Sequence, residues 1–426
     1  MHIPDGYLSP VVSGGLGAVT VPAWYLASRR TNEVLNNRTV PLLAIFAALS
    51  FTIMMFNIPV PGGTTAHGVG GTLIAIVLGP WAAVIAVSTA LVIQALFFGD
   101  GGVLAIFANC LNMAVILPFT GYLVYRLLAA RAPVLSTRRV WAAAVGAYVG
   151  ITAAALAVGI ELGIEPVLFT QNGHPLYSPY TLEQAIPAML AAHVFGASIV
   201  EALITGLGVA YFQTRHPEYL GELRSVFAPD AVSEGGATPR PLWQLVLAAG
   251  SVTATGVAVI GLLVGGGDPG RFYGADWSQV SWPDVGTMLL VVALLGACLV
   301  PLAHWALPPA VKRIGAAFTA IAVIAPLGLI APGIAYGEGS PDDVMGAFGY
   351  VPSGLQQLSG TFSAPLGGYN LPLPFFDAAN APLWHAAIGY EITGVIGILV
   401  IGALMLGLAR LLGGRGTATD RARSSA

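Results

Sequence analysis

Apolar runs of roughly twenty residues recur along most of this chain, and each is long enough to cross the hydrocarbon core of a bilayer as an α-helix. A segment in lipid must satisfy its backbone hydrogen bonds internally, which leaves helices and closed barrels as the possible spanning structures. Ten-residue stretches of alternating polarity are absent, which argues against a barrel. Only 9% of the 426 residues are charged, far below the quarter or so usual in soluble domains. The sequence therefore predicts an all-α, polytopic membrane helical bundle in the cytoplasmic membrane of the cell. About eleven transmembrane helices are expected, near 11–28, 40–58, 68–80, 81–98, 103–127, 139–160, 185–213, 242–265, 285–306, 314–335 and 384–409. No basic stretch precedes the first run and no small-residue cleavage site follows it, so it reads as a retained span rather than a removable signal peptide.

Basic residues orient this array. With an extracytoplasmic N-terminus, every Lys and Arg except Arg271 falls in a cytoplasmic segment, among them Arg29, Arg30, Arg38, Arg138, Arg139, Lys312 and Arg313. Positive charge resists translocation, so that bias sets the topology and supports the count of eleven. The net charge of -3 gives no reason to expect a nucleic-acid partner. Cys110 and Cys298, the two cysteines, lie in apolar spans and imply neither a disulfide framework nor a soft metal site.

The polar stretch 216–241 divides the chain. Residues 1–215 form one membrane domain of seven spans, and 216–241 read as a cytoplasmic linker. Residues 242–412 form a second membrane module of about four spans, and 413–426 read as a disordered cytoplasmic tail. The second module includes a long outer loop, 336–383, without Lys or Arg and with Glu338, Asp342, Asp343 and Asp377. Its length exceeds that of a simple connector. It is expected to be a solvated cap; the alternative is that its acids gather cations near the entrance.

The amino-terminal tip carries the chemistry. His2 follows the first residue directly, so the terminal amine of Met1, the amide nitrogen of His2 and the His2 ring can close fused chelate rings on one ion. A fourth nitrogen is expected from His67, in the Pro/Gly-rich segment Pro59–Gly71. Both elements lie outside in the expected topology. Four nitrogens in a plane suit Ni(II) or Cu(II), with Co(II) chemically close. Met1, His2 and His67 are thus the candidate metal ligands. Asp5, Asn57, Asn109 and His193 are candidates for the surrounding shell, with Asn112 and Gln94 as further cavity-lining groups. His193 and Glu201 are eight residues apart on one span, which brings them to roughly one helix face. Polar groups within lipid are costly and so draw attention; His193 is expected to orient the metal site and Glu201 to hold neighbouring helices together.

Catalytic and nucleotide motifs are missing. Lys312 is the only lysine, so no phosphate-binding loop exists, and neither a Gly-x-Ser-x-Gly elbow nor a His-Glu-x-x-His pair occurs. The chain is expected to be a transport subunit rather than an enzyme. An ATP-independent cation channel or secondary transporter is the alternative, with Glu201 and Glu391 as its only intramembrane acids of note.

Met1-His2-Ile3-Pro4-Asp5-Gly6 and Ala66-His67-Gly68-Val69-Gly70-Gly71-Thr72 closely resemble the CbiM/NikM family, the cobalt- or nickel-specific substrate-binding subunits of energy-coupling-factor transporters. The likeness covers about residues 1–215, including Ala192 to Thr205, and implies a fold of seven transmembrane helices. It implies that the amine, the amide and ring nitrogens of residue 2, and a later histidine bind the metal, roles that fall here on Met1, His2 and His67. It also implies a transmembrane coupling subunit and two cytoplasmic ATPase subunits as partners, no permanent cofactor, and Co(II) or Ni(II) as transported substrate. Ser340-Pro341-Asp342-Asp343 with Val351-Pro352-Ser353-Gly354-Leu355 resembles the accessory small subunit (CbiN/NikN-like) that such systems often carry fused. This chain has Pro-Asp-Asp where that subunit usually has Pro-Asp-Gly, and four spans where the simpler subunit has two.

Overall fold

Long apolar helices carry the architecture. The computed structural model describes residues 1–34, 39–60, 64–221, 281–306, 316, 319–320, 322–330, 335–376 and 382–413. The helices are α1 (Pro10–Val34), α2 (Thr39–Met55), α3 (Gly71–Leu78), α4 (Pro80–Ile93), α5 (Ile106–Cys110), α6 (Leu117–Leu128), α7 (Thr137–Leu168), α8 (Leu182–Ala192), α9 (Ser198–Arg215), α10 (Trp282–Ala306), α11 (Pro341–Phe348), α12 (Ser353–Leu358) and α13 (Leu383–Gly413). Seven helical stretches among the described residues are long and apolar enough to span a bilayer, and the apolar Pro41–Met55 is shorter. The chain is a multi-pass, all-helical membrane protein; two antiparallel two-residue ladders, 58–59 with 65–66 and 170–171 with 174–175, decorate its turns.

The expected span 242–265, most of the linker 216–241, parts of 314–335 and the tail beyond Gly413 lie outside the described residues, as does Arg38. The expected span 68–80 needs correction. Its helix, α3, has eight residues, about 12 Å at the α-helical rise, so it does not cross alone. Gly79, at φ 93° and ψ 154°, leaves helical geometry there, and Pro80 begins the next helix.

Three helices are continued through π turns, at Gln94–Phe98, Leu111–Ile116 and His193–Ala197. Such bulges often accompany functional sites. Here they begin at or next to the buried polar side chains Gln94, Asn112 and His193. Elsewhere packing rests on small residues. A Cβ on Gly146 would lie 2.5 Å from the Gly121 carbonyl, and one on Gly150 would lie 2.6 Å from that of Leu117. The backbones of α6 and α7 thus meet as closely as glycine allows, the usual route to tight helix association in lipid.

The first nine residues form no regular element, yet Met1, His2, Ile3, Tyr7 and Leu8 are buried. Their backbone is paired in place of a helix. Asn109 accepts from the Ile3 N–H at 2.8 Å and donates to the Ile3 carbonyl at 3.1 Å. Gly102 N–H donates to the same carbonyl at 2.8 Å. The Asp5 carboxylate accepts from Leu104 N–H at 2.7 Å, and Glu165 accepts from Ser9 N–H at 2.8 Å.

The segment 336–376 of the C-terminal part, within the expected outer loop, is more than a solvated cap. It includes α11 and α12, and Tyr336, Val344, Leu355 and Tyr369 are buried. Tyr7 donates to the Gly339 carbonyl at 2.8 Å, and Gly354 N–H donates to that of Leu176 at 2.7 Å. Tyr369 stacks on Phe98 at 4.9 Å between centroids, and Tyr390 of α13 donates to the Met55 carbonyl at 2.6 Å. These contacts bring the two halves of the chain together over the amino-terminal tip.

Candidate metal centre

His2 and His67 meet. Their rings stack with centroids 4.9 Å apart and planes 22° from parallel. The Nδ1 of His67 lies 2.9 Å from the Gly68 carbonyl and that of His2 lies 2.7 Å from Asp100 Oδ1. Each contact places a ring proton on Nδ1, and in neutral His67 this leaves Nε2 as a lone-pair donor. Both Nε2 atoms are buried without a hydrogen-bond partner, a condition that calls for an explanation. Beside them opens a cavity of about 350 Å³ lined by His2, Asn57, His67, Asp100, Glu338 and Tyr390 among others.

The Met1 amine faces this site through a carboxylate. Glu338 Oε1 accepts from the amine at 3.2 Å and from the His2 amide N–H at 3.1 Å. The three ligand candidates on two separate segments therefore share one neighbourhood. Of the outer candidates, Asn57 lines the cavity, whereas Asp5, Asn109 and His193 do not. Asp5 and Asn109 instead clamp the tip from behind. His193 is buried in its π turn, with Nδ1 2.8 Å from the Met189 carbonyl and Nε2 unpartnered. Gln94 and Asn112 are not at the cavity either: Gln94 donates to Asp100 at 3.0 Å, and Asn112 donates to Glu161 at 2.8 Å.

Local chemistry explains the placement of His67. Val69 and Gly70 N–H groups donate to Glu201 Oε2 at 2.7 and 2.8 Å. These are donors at the start of α3, where orphan N–H groups and the helix dipole favour an anion. Gly70 takes φ 76°, a left-handed conformation that glycine adopts without strain. Glu201 thus fixes the segment that carries His67 rather than pairing with His193.

Sequence reasoning assigns Asp100 and Tyr369 no role and places Glu338 only among the acids of the loop 336–383. Asp100 sits next to two glycines and holds His2; Tyr369 donates to its other oxygen at 2.5 Å. Burial alone would raise the Asp100 carboxyl, but the adjacent His2 and His67 and the Tyr369 hydroxyl hold it well below the usual carboxylate range. Burial, followed by the terminal amine and His2, pushes His67 well below ordinary imidazole. Burial raises Asp5 against the backbone N–H groups of Leu104, Val103 and Ala105.

The His67 shift has a measurable sign. The folded chain keeps the ring neutral, while the unfolded chain takes a proton below its ordinary value of about 6.5. Stability contributed by the neutral ring is therefore complete above that pH and falls as pH drops below it, by up to about 1.4 kcal/mol per pH unit. Thermal unfolding in detergent from pH 7.5 to 5 is expected to show this slope, and His67→Gln is expected to reduce it. An identical slope in both proteins would assign the acid sensitivity elsewhere.

The family model described as the cobalt uptake substrate-specific transmembrane region, CbiM, matches residues 2–219. The fused nickel transport protein NikMN of Rhodobacter capsulatus is 37% identical over 417 residues, which cover 94% of this chain and 95% of that protein. The cobalt transport protein CbiM of Geobacter sulfurreducens is 30% identical over 289 residues, covering 67% of this chain and 75% of that protein. A crystal structure of a truncated transition metal transporter is 55% identical with a TM-score of 0.47, covering 51% of this chain and 99% of that one.

Proposed function

Because the chain belongs to the CbiM family of cobalt-uptake transmembrane proteins, we propose that it captures Co(II) or Ni(II) for an energy-coupling-factor importer, binding the ion at the extracytoplasmic face through the Met1 amine, His2 and His67. At the coarser level it is a non-enzymatic membrane component of nickel or cobalt transport. The single observation that carries the finer reading is the meeting of the buried tip with His67, whose Nε2 is unpartnered beside a polar cavity.

Chelation by the tip uses the Met1 amine, the His2 amide nitrogen and the His2 Nδ1. The first two close a five-membered ring and the last two a six-membered ring. His67 then supplies Nε2. The His2 ring must exchange its Asp100 contact for the ion, and its proton moves to Nε2. Two protons leave on binding, one from the amine and one from the amide, so affinity should fall with pH. The division of the chain into 1–215 as the binding domain and 242–412 as an accessory membrane module belongs to this proposal. A separate coupling subunit and two ATPase subunits would supply the energy, in keeping with a sequence that has one lysine and no phosphate-binding loop.

The test is direct. Full-length chain purified in detergent and dialysed against Ni(II) or Co(II) is expected to retain one ion per chain, and His67→Ala to retain far less. Equal retention by the two proteins would sink the assignment. Membrane vesicles containing the chain without ATPase subunits are expected to take up no ion; sustained uptake would instead favour an ATP-independent channel.

Glu201 gives a second expectation. Loss of its carboxylate frees the Val69 and Gly70 N–H groups and loosens the His67 segment. Glu201→Ala is expected to weaken Ni(II) binding about 10–100-fold, the usual range for groups that orient metal ligands. Glu201→Gln, which keeps one acceptor oxygen, should recover part of the loss in calorimetric titration. Equal affinity in all three proteins would remove Glu201 from the site.

A further inference from the structure

Glu338 belongs to the outer segment of the C-terminal part, 337 residues from Met1. It reaches the amino-terminal tip with a single oxygen. Oε1 lies 3.2 Å from the Met1 amine and 3.1 Å from the His2 amide nitrogen. On the capture reading, those two nitrogens are adjacent corners of the ion's plane. The third chelating nitrogen, His2 Nδ1, faces Asp100 at 2.7 Å. Every nitrogen that the tip would give an ion is therefore held by a carboxylate.

Distance decides between a competitor and a further ligand. A metal–nitrogen or metal–oxygen bond measures about 2 Å. An ion about 2 Å from both nitrogens on the side facing Oε1 would lie nearer to that oxygen than such a bond permits. Glu338 must therefore move before the ion seats. Its side chain is 24% exposed, so it has solvent to move into, and it also lines the cavity beside His2 and His67.

Resting on the capture reading above, we propose that Glu338 competes with the ion for its seat. It holds the amine and amide in the ligating arrangement before the ion arrives, withdraws as the ion binds, and takes both nitrogens back when the ion leaves. The C-terminal part thereby sets how tightly and how long the ion is held. Protons balance in the exchange: the ammonium and the amide N–H each release one to solvent.

Full-length wild type, Glu338→Gln and Glu338→Ala, each stripped of metal and held at one pH, are titrated with Ni(II) sulfate. Release of bound Ni(II) into excess EDTA is then timed. Thermal unfolding confirms that the three proteins fold alike. Competition predicts affinity in the order Ala, Gln, wild type, with Ala about tenfold tighter than wild type and slower to release. Tightest binding by wild type would mean that the charge attracts the ion, and would overturn the proposal. Affinities and release rates within twofold of one another would overturn it as well, because the contact would then be incidental. Absence of Ni(II) binding in all three would overturn the capture reading itself, and the competition with it.

Discussion

A chain lengthened by three residues ahead of Met1 is expected to lose essentially all high-affinity Ni(II) and Co(II) binding. The extension converts the Met1 nitrogen from an amine into an ordinary amide and moves the new amine beyond reach of the chelate. It also forces a polar segment into a buried place, since Met1 is 5% exposed and its amine already contacts Glu338. A one-residue extension would be a poorer test. It would put histidine third, and the tip would then hold an amine, two amides and a ring nitrogen, four donors without His67. Three residues avoid that. An equal extension after Ala426 serves as the control and should leave binding unchanged. Equilibrium dialysis with Ni(II) separates the outcomes: if both proteins bind alike, the terminal amine is not a ligand. The His2→Gln variant complements this, because it removes the ring nitrogen while leaving the amine and amide in place.

Much of this arrangement was legible in the amino-acid sequence, for physical reasons that also mark where legibility ends. Lipid forces backbone pairing within each segment, so apolar length alone revealed the helical bundle. The His2–His67 meeting was legible because both residues flank spans with the same expected exit side. Asp100 and Glu338 were not legible as partners of the tip. They lie in loops, where no periodicity links a side chain to a face, and they reach His2 across 98 and 336 positions of sequence. The π turns were hidden too. An extra residue in a helical turn rotates everything that follows, and an apolar sequence carries no mark of it. That rotation helps explain why His193 and Glu201, expected on one face, have different partners. Glu201 reaches Val69 and Gly70, while His193 bonds within its own turn. The short α3 was misread as a span because Gly79 and Pro80 interrupt an otherwise continuous apolar run.

His67→Ala is expected to produce the largest loss of any single side-chain change outside the tip. His67 is the one candidate ligand that does not come from residues 1 and 2, and three nitrogens from the tip leave a planar site one corner short. Changes to groups that orient metal ligands typically cost about 10–100-fold in metal affinity, and removing a ligand should exceed that. The ring is also 5% exposed and stacked on His2, so its removal frees the His2 ring to turn and weakens the remaining chelate as well. Stability should move much less. The truncation removes a ring whose Nε2 has no partner, and the backbone of its segment stays tied to Glu201. His385→Ala provides the contrast: His385 stacks on Phe375 at 3.9 Å in the C-terminal part, apart from the tip, and its loss should leave Ni(II) affinity unchanged. Calorimetric titration of both variants with Ni(II), alongside thermal unfolding, tests the pair. Comparable losses in the two would mean that histidine content, rather than the meeting of His67 with the tip, governs binding. An unchanged affinity in His67→Ala would leave the tip to bind alone and remove the reason for burying it beside His67.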